Sequence, residues 1–377
     1  MTNTTTPRSE LCQTRLLTIA LLIGLLALVS LSAMGQRVIT TLHNGNSSFV
    51  YFNGQSVNIQ QLIDDAFPND TILLPGGPLD FNSPISVTKP LVFIGAGYAQ
   101  AGCPVTQETV LLAPYGPQVL FNNLQIEADG SGSRFHGIYF DRTVQHAGEV
   151  NDVSYTRCRF GGDFRLGAAG SLSQPAATNV MIRECIFEFG ITMGNSSTAA
   201  IGLSINNSIL DGGLNAGAGF SSANLDHCIL LDPGLNGSVN YGVTYSSCVI
   251  TDMDASLTIT EPACFHDCLF VLSGNGTVVP NTCWSNNGNQ VVSNSPSAFE
   301  NVSNLGQYNI TSDYDLAAGS IGNNMGLFPP VGIYGGQSPF KQNGIPFNPH
   351  WSQLSIPSLT QGGVLSPVLI GGEAQSN

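Results

Sequence analysis

The sequence predicts an all-β fold, a parallel β-helix solenoid with a short N-terminal capping helix and a small C-terminal β extension. Three observations predict it. A motif recurs along the chain: apolar-x-apolar, two polar residues, then Cys-x-apolar. It reads VSYTRCRF ending at Phe160, VMIRECIF at Phe187, LSINNSIL at Leu210, ANLDHCIL at Leu230, VTYSSCVI at Ile250 and ACFHDCLF at Phe270. A weaker copy, SRFHGIYF, ends at Phe140. The motif centres are Ile138, Cys158, Cys185, Ser208, Cys228, Cys248 and Cys268, spaced by 20, 27, 23, 20, 20 and 20 residues. A repeat near 20 residues is too short for the common helical arrays, which run at roughly 33 to 47. Finally, 43 glycines among 377 residues suit tight corners, and 42% hydrophobic residues argue against disorder.

Within each copy the apolar positions are two apart, which is the strand period. The polar pair breaks that period once, so it marks a corner between two short strands. Val180, Ile182, Cys185 and Phe187 are then expected to point inward, with Arg183 and Glu184 pointing outward. Asn206-Asn207 fits the same corner, because Asn tolerates the left-handed conformation. A further strand lies between copies, as in SLTIT from Ser256 and GSVNY from Gly237.

Taken in order, residues 1–35 read as a secretory signal peptide. Arg8 and Arg15 precede an uncharged run from Leu16 to Met34, and small residues at Ala33 and Gly35 place cleavage before Gln36. A retained anchor is the competing reading, since the run nears the roughly 18-residue length of a membrane span. Residues 36–90 form an N-terminal segment and cap. NIQQLIDDAF from Asn58 puts Ile59, Leu62, Ile63 and Ala66 on one helical face, with Asn58 as its cap. Such a cap covers core and strand edges that water would otherwise reach. Coils are expected over 91–315, with a loop at GAAGSLSQPAATN from Gly167 and irregular last coils over 274–312. Residues 316–377 form a Gly/Pro-rich closing segment, in which SQLSIPSL and GGVLSPVLIGG alternate like two edge strands.

On these repeats, and on KPLVFIGAGY at Lys89, the chain resembles the right-handed parallel β-helix family, the pectate-lyase-like superfamily. DYDLAAGSIGNN at Asp313 and GIYGGQSPF at Gly332 resemble the closing segments of secreted bacterial members. The likeness spans roughly Asn58 to Gly336, judged by repeat matching. It implies right-handedness, in line with the general bias of parallel crossovers. It does not fix an activity, because the fold hosts many.

Charge narrows the partners. The chain carries 11 basic and 25 acidic residues. Losing 1–35 removes Arg8, Arg15 and Glu10, leaving 9 basic and 24 acidic residues, net −15. From Glu184 onward Lys341 is the only basic residue. Nucleic acid and anionic membrane need basic patches, so neither is an expected partner. After leader cleavage no membrane span is expected. A neutral polysaccharide, or an acidic one bridged by cations, fits better. The sequence carries no signal for oligomeric state. The cysteines at the repeat centre read as a buried ladder, since Ser208 and Ile138 occupy the same column and cysteine buries readily. Cys264 lies outside the ladder, and an oxidising compartment would allow a disulfide to Cys283. Cys103 has no evident partner. His136, His227 and His266 fall at the polar corner and are expected to be solvated there.

A second feature recurs. Three to five residues after each of the first six centres stands an acid: Asp141, Asp163, Glu188, Asp211, Asp232 and Asp252; at the seventh Val271 appears. Stacked carboxylates repel, and calcium relieves that repulsion with several oxygen ligands at about 2.3–2.6 Å. The bland reading is that Asp is a good turn former. Polysaccharide lyases of the resembled superfamily hold calcium with acids and abstract a proton with a basic residue. By that resemblance Arg142 and Arg165 are the candidate bases, although an arginine pKa above about 12 makes a demanding base and a plain surface ion pair is the simpler role. The glycosidase branch needs paired acids, a His-Gly motif and a basic clamp, and no matching set is present. The expected function is therefore a secreted or cell-surface, non-catalytic β-helix that binds glycan or serves a structural or adhesive role, with the periplasm as alternative location. The competing reading is a calcium-dependent polysaccharide lyase.

Overall fold

The computed structural model describes residues 38–43, 47–52, 59–98 without 75 and 81–84, 109–112, 122–167, 177–193, 200–215, 220–231, 233, 242–252, 256–258, 263–272, 277–279, 288–293, 298–341, 344, 350–355 and 369–373. The leader, Asn58, Cys103, Cys283 and most of the loop after Gly167 lie outside them.

The chain is an all-β parallel solenoid. Three sheets stack along it; up to the coil of Leu214–Asn215 each coil adds a short strand to each, and beyond it Ser256–Thr258 and Thr277–Val279 pair in parallel as a separate two-stranded sheet. The first sheet stacks Thr71–Leu73, Val92–Ile94, Arg134–His136, Ser154–Thr156, Met181–Arg183, Ala200–Asn206, Phe220–Asp226, Val243–Ser246 and Cys264–His266. The second runs from Gly77–Asp80 through Tyr139–Phe140, Ile186–Phe187 and Ile229–Leu231 to Gln290–Ser293. The third runs from Ile85–Val87 through Thr143–Ala147 and Phe164–Leu166 to Leu214–Asn215. All pairs between successive coils are parallel and in repeat register, as in Tyr155 beside Ile182, Ile182 beside Ile205, and Ile205 beside Leu225.

The N-terminal end is closed as the apolar spacing predicts. Helix Ile59–Asp65 buries Ile59, Leu62 and Ile63. The hairpin of Val38–His43 with Ser47–Phe52 pairs antiparallel to Thr71–Leu73, covering an edge that would otherwise be open. At the other end, His350–Ser355 pairs antiparallel with Leu369–Glu373, the expected pair of C-terminal strands.

One residue makes each corner. Arg157, Glu184, Asn207, His227, Ser247 and Asp267 all have φ between 46° and 54°, in the left-handed region. Gly137, at φ 63°, does the same in the weaker copy. A single left-handed residue turns the chain without leaving a strand unpaired on either side. The polar pair therefore splits: its first member ends a strand of the first sheet, and its second makes the turn. A second left-handed corner lies five residues earlier, at Asp152 and Asn179.

The inward column holds as read. Ile138, Cys158, Cys185, Ser208, Cys228, Cys248 and Cys268 are each 0% exposed, and the five cysteines are free thiols. The thiols lie over backbone carbonyls, Cys228 Sγ 3.4 Å from the Ile205 oxygen and Cys248 Sγ 3.5 Å from that of Leu225. Ser208 shows why a hydroxyl is accepted here: its Oγ donates to the Asn206 carbonyl at 2.8 Å and receives Cys185 N–H at 3.0 Å. Cys228→Ser finds equivalent acceptors and is expected to cost at most about 1 kcal/mol, the net worth of one hydrogen bond. Chemical denaturation checks it, and a loss several times larger would show that the column needs sulfur's bulk. Outside the column, Cys264 is disulfide-bonded.

A second apolar layer lies outside the solenoid. The outward positions Ile186, Ile209, Ile229, Val249 and Leu269 of the second sheet are nearly fully buried. Residues 298–341, the strap, cover them with Phe299, Tyr314, Leu316, Val331, Ile333 and Phe340. The strap runs back along the solenoid axis. Gly332 N–H donates to the Ser247 carbonyl at 2.8 Å, and Asn207 Nδ2 donates to the carbonyls of Ile333 and Gly335 at 2.8 Å each. It therefore passes over successive left-handed corners towards the N-terminal coils.

Candidate functional site

The acids of the expected row do not share one column. Three residues after each centre stand Asp141, Gly161, Glu188, Asp211, Leu231, Thr251 and Val271, so Asp141, Glu188 and Asp211 occupy one position, with a glycine between the first two. The strand register then sets Asp211 beside Leu231 and Leu231 beside Thr251. Asp163 lies two residues further on, at the entry to the third sheet, where its carbonyl receives Val144 N–H. Asp252 pairs with Leu272 in the second sheet. Asp232 lies outside the described residues, as does the side chain of Asp252.

Each acid with a described side chain is already engaged. Asp141 pairs with Arg142 at 3.4 Å, Asp163 with Arg165 at 2.5 Å, and Glu188 with Arg159 at 2.5 Å. Asp211 accepts the Tyr308 N–H from the strap at 2.9 Å. The Arg159 guanidinium also lies over the Tyr139 ring, 4.5 Å from its centroid, and 5.8 Å from that of Tyr308. Burial opposes the Arg159 charge, but Glu188 outweighs it and raises its pKa further. Among the described residues no three His, Cys, Asp or Glu side chains converge as a metal-binding group. The offsets explain why: a difference of one or two residues turns a side chain to another face or another sheet.

Arg142 and Arg165 are partly exposed, with 43% and 42% of their side chains accessible, and each is held by its own neighbour.

The corner residues correct one expectation. Glu184 and His227 do leave the solenoid core, but they do not reach solvent; they are 2% and 3% exposed. The strap covers them. Arg157 and Glu184, on adjacent coils, form an ion pair at 2.8 Å with side chains 1% and 2% exposed. Burial pushes the Glu184 carboxyl up, while Arg157 pulls it down by less. No repeat analysis finds this pair, because its burial comes from a segment more than a hundred residues away. The glycines at 326, 332, 335, 336 and 344 were the available signal, a chain lying flat on something. A β-carbon on Gly335 would sit 2.6 Å from His227 Cδ2.

The first sheet keeps an open outer face. One row along the axis is Arg134, Ser154, Met181, Ser204, Asn224, Thr244 and Cys264, all exposed or half-buried. The adjacent row is His136, Thr156, Arg183, Asn206, Asp226, Ser246 and His266, all half-buried. Parallel stacking repeats each position at the strand spacing of about 4.8 Å, and within one strand Asn206 Nδ2 donates to Ser204 Oγ at 3.3 Å, joining the two rows. Burial, with the cations of Arg134 and Arg157, pushes His136 down to about 4, so it is neutral at physiological pH. The face offers many donors and acceptors, with charge at Arg134, Arg183 and Asp226.

No family model, curated protein or solved structure matches the chain.

Proposed function

We propose that this protein is a secreted, non-catalytic β-helix that binds polysaccharide along the outer face of its first sheet. The reading rests on one observation: two adjacent rows rich in Ser, Thr and Asn, including Ser154, Ser204, Asn206, Asn224, Thr244 and Ser246, line the outer face along the axis, Asn224 exposed and the others half-buried. A linear glycan is a repeating array of hydroxyls, and repeated, fixed donors and acceptors are what such a ligand needs. The second sheet cannot serve in this way where the strap seals its apolar outer face. The resemblance to right-handed, secreted bacterial members of the pectate-lyase-like superfamily supports a carbohydrate context. The uncharged run before Gln36 supports export. The engagement of Arg142 and Arg165 with their own acids weighs against the lyase reading.

The test is a polysaccharide array probed with the chain from Gln36, with calcium and with chelator, alongside Asn206→Ala/Asn224→Ala. Binding that survives chelator and drops at least tenfold in the double variant is the expected result. Calcium-dependent binding to acidic glycans with release of unsaturated products would return the lyase reading. Absence of binding in both conditions would leave a structural or adhesive solenoid.

A further inference from the structure

Under the strap, one imidazole stands between two acceptors. His227 Nδ1 is 2.9 Å from Asp226 Oδ1, and its Nε2 is 3.0 Å from the carbonyl oxygen of Phe328. A carboxylate and a carbonyl both accept and neither donates. A neutral imidazole carries a single N–H and satisfies one of them; the protonated ring carries two and satisfies both. The ring is 3% exposed, so water does not replace a lost partner at little cost.

The Phe328 carbonyl has a second duty. It also receives Gly336 N–H at 3.0 Å, which closes the loop from 328 to 336. Gly335 and Gly336 lie against the imidazole. A β-carbon on Gly336 would sit 3.2 Å from the ring, and its φ of 78° favours glycine independently. Inside this loop are Val331 and Ile333, buried against the second sheet, and at its start Leu327 and Phe328 are 80% and 44% exposed.

We infer that His227 is a pH-gated clasp, which in its protonated form holds the loop of residues 327–336 onto the solenoid and on losing its proton lets that loop loosen. Asp226, on the same coil, supplies the facing charge. The flanking corners bring Asn207 and Ser247, the neighbouring coil brings the Cys248 thiol, and the strap brings the Phe328 carbonyl with the backbone of Gly335 and Gly336. Burial opposes a charge on the ring, but the Asp226 carboxylate and the Phe328 carbonyl outweigh it and raise its pKa above the ordinary histidine value. A group raised in the folded state contributes stability fully below its unfolded pKa, near 6.5, and loses it as pH rises through the folded value. The clasp is therefore closed in mildly acid conditions and opens on the alkaline side.

The experiment is NMR on the full chain, following the imidazole nitrogens and amide exchange from about pH 5 to pH 8. His227 should show two N–H groups at the acid end and a midpoint above that of a free histidine. The protection of Gly336 should fall across that midpoint relative to Val249, whose amide is held within the solenoid by the Cys228 carbonyl at 2.9 Å. The ratio should drop roughly tenfold, the loss of one charge-assisted hydrogen bond. Asp226→Asn should move the ring midpoint and the exchange midpoint down together. A ring that titrates at or below the ordinary value overturns the inference. So does a Gly336-to-Val249 ratio that ignores the ring's midpoint, in the native chain or in Asp226→Asn.

Discussion

Replacing Arg157 with Met lowers the stability of the solenoid by about 3–5 kcal/mol, the usual consequence of stranding a buried charge. The stranded group is Glu184, which is 2% exposed and would face the strap without its 2.8 Å partner. The converse change, Glu184→Gln, strands the Arg157 guanidinium, which is 1% exposed, and is expected to cost a comparable amount. Burial pushes the Glu184 carboxyl up by more than Arg157 pulls it down. For an acid raised in the folded state, stability is present below the unfolded pKa and lost as pH rises through the folded one. The Arg157→Met variant, with that acid unopposed, should therefore recover part of its loss on acidification. The double variant Arg157→Met/Glu184→Met should cost much less than the single arginine change, because apolar pairs often replace buried ion pairs at little cost. Both positions stay left-handed at φ 54° and 53°, so Met carries no new backbone penalty relative to the residues it replaces. Denaturant unfolding of Arg157→Met, Glu184→Met and the double variant closes the cycle. Equal losses for Arg157→Met and the double variant would show that packing of the arginine stem, and not its charge, matters.

The solenoid was legible in the sequence because its signal is local and repeated. Each coil writes the same order of inward residues, and a period of 20 survives the insertions after Gly167 and within the 23-residue copy. The corner was half legible. Arg183 and Glu184 mark a turn, but equal polarity hid that only Glu184 takes the left-handed conformation. The strap was not legible. Its residues lack the repeat, and what buries them is an apolar outer face of the second sheet, Ile186, Ile209, Ile229, Val249 and Leu269. Those residues were visible as the x of Cys-x-apolar, where an apolar side chain in every copy from Cys185 onward announces a cover. Arg159 fills that place one coil earlier, where the strap meets it with Tyr308 instead. The acidic row lies differently in three dimensions from its sequence offsets for a related reason. Sequence offsets of three to five look alike, whereas in a strand they alternate between faces. Among the described residues the row resolves into three local ion pairs and one contact to the strap.

Phe160→Ala is expected to be the most damaging truncation in the core, costing about 3–5 kcal/mol. Its ring stacks on Phe187 at 4.5 Å and on Phe140 at 5.2 Å, and meets Phe164 and Tyr155 edge-on at 5.0 and 5.5 Å. It joins three coils within the second sheet and touches the inward stacks of the other two. Removing it leaves a cavity walled by rings whose strands are fixed by register, so collapse is limited. The position along the axis sharpens the result. Coils of a solenoid are held by their neighbours, and stability is close to a sum of nearest-neighbour terms. A void at the Phe160 coil therefore weakens the coupling between the coils before it and those after it. The strap offers one bypass, because it spans from the Leu269 coil back to the Arg157 corner and lies outside the void. Hydrogen exchange should thus show reduced protection centred on 138–166, with the coils from Ile205 to Phe270 retaining theirs. Phe160→Leu keeps most of the volume and should cost less than about 1.5 kcal/mol. A uniform loss of protection along all coils would mean that the strap and the three sheets unfold as one cooperative unit, and that nearest-neighbour coupling does not govern this chain.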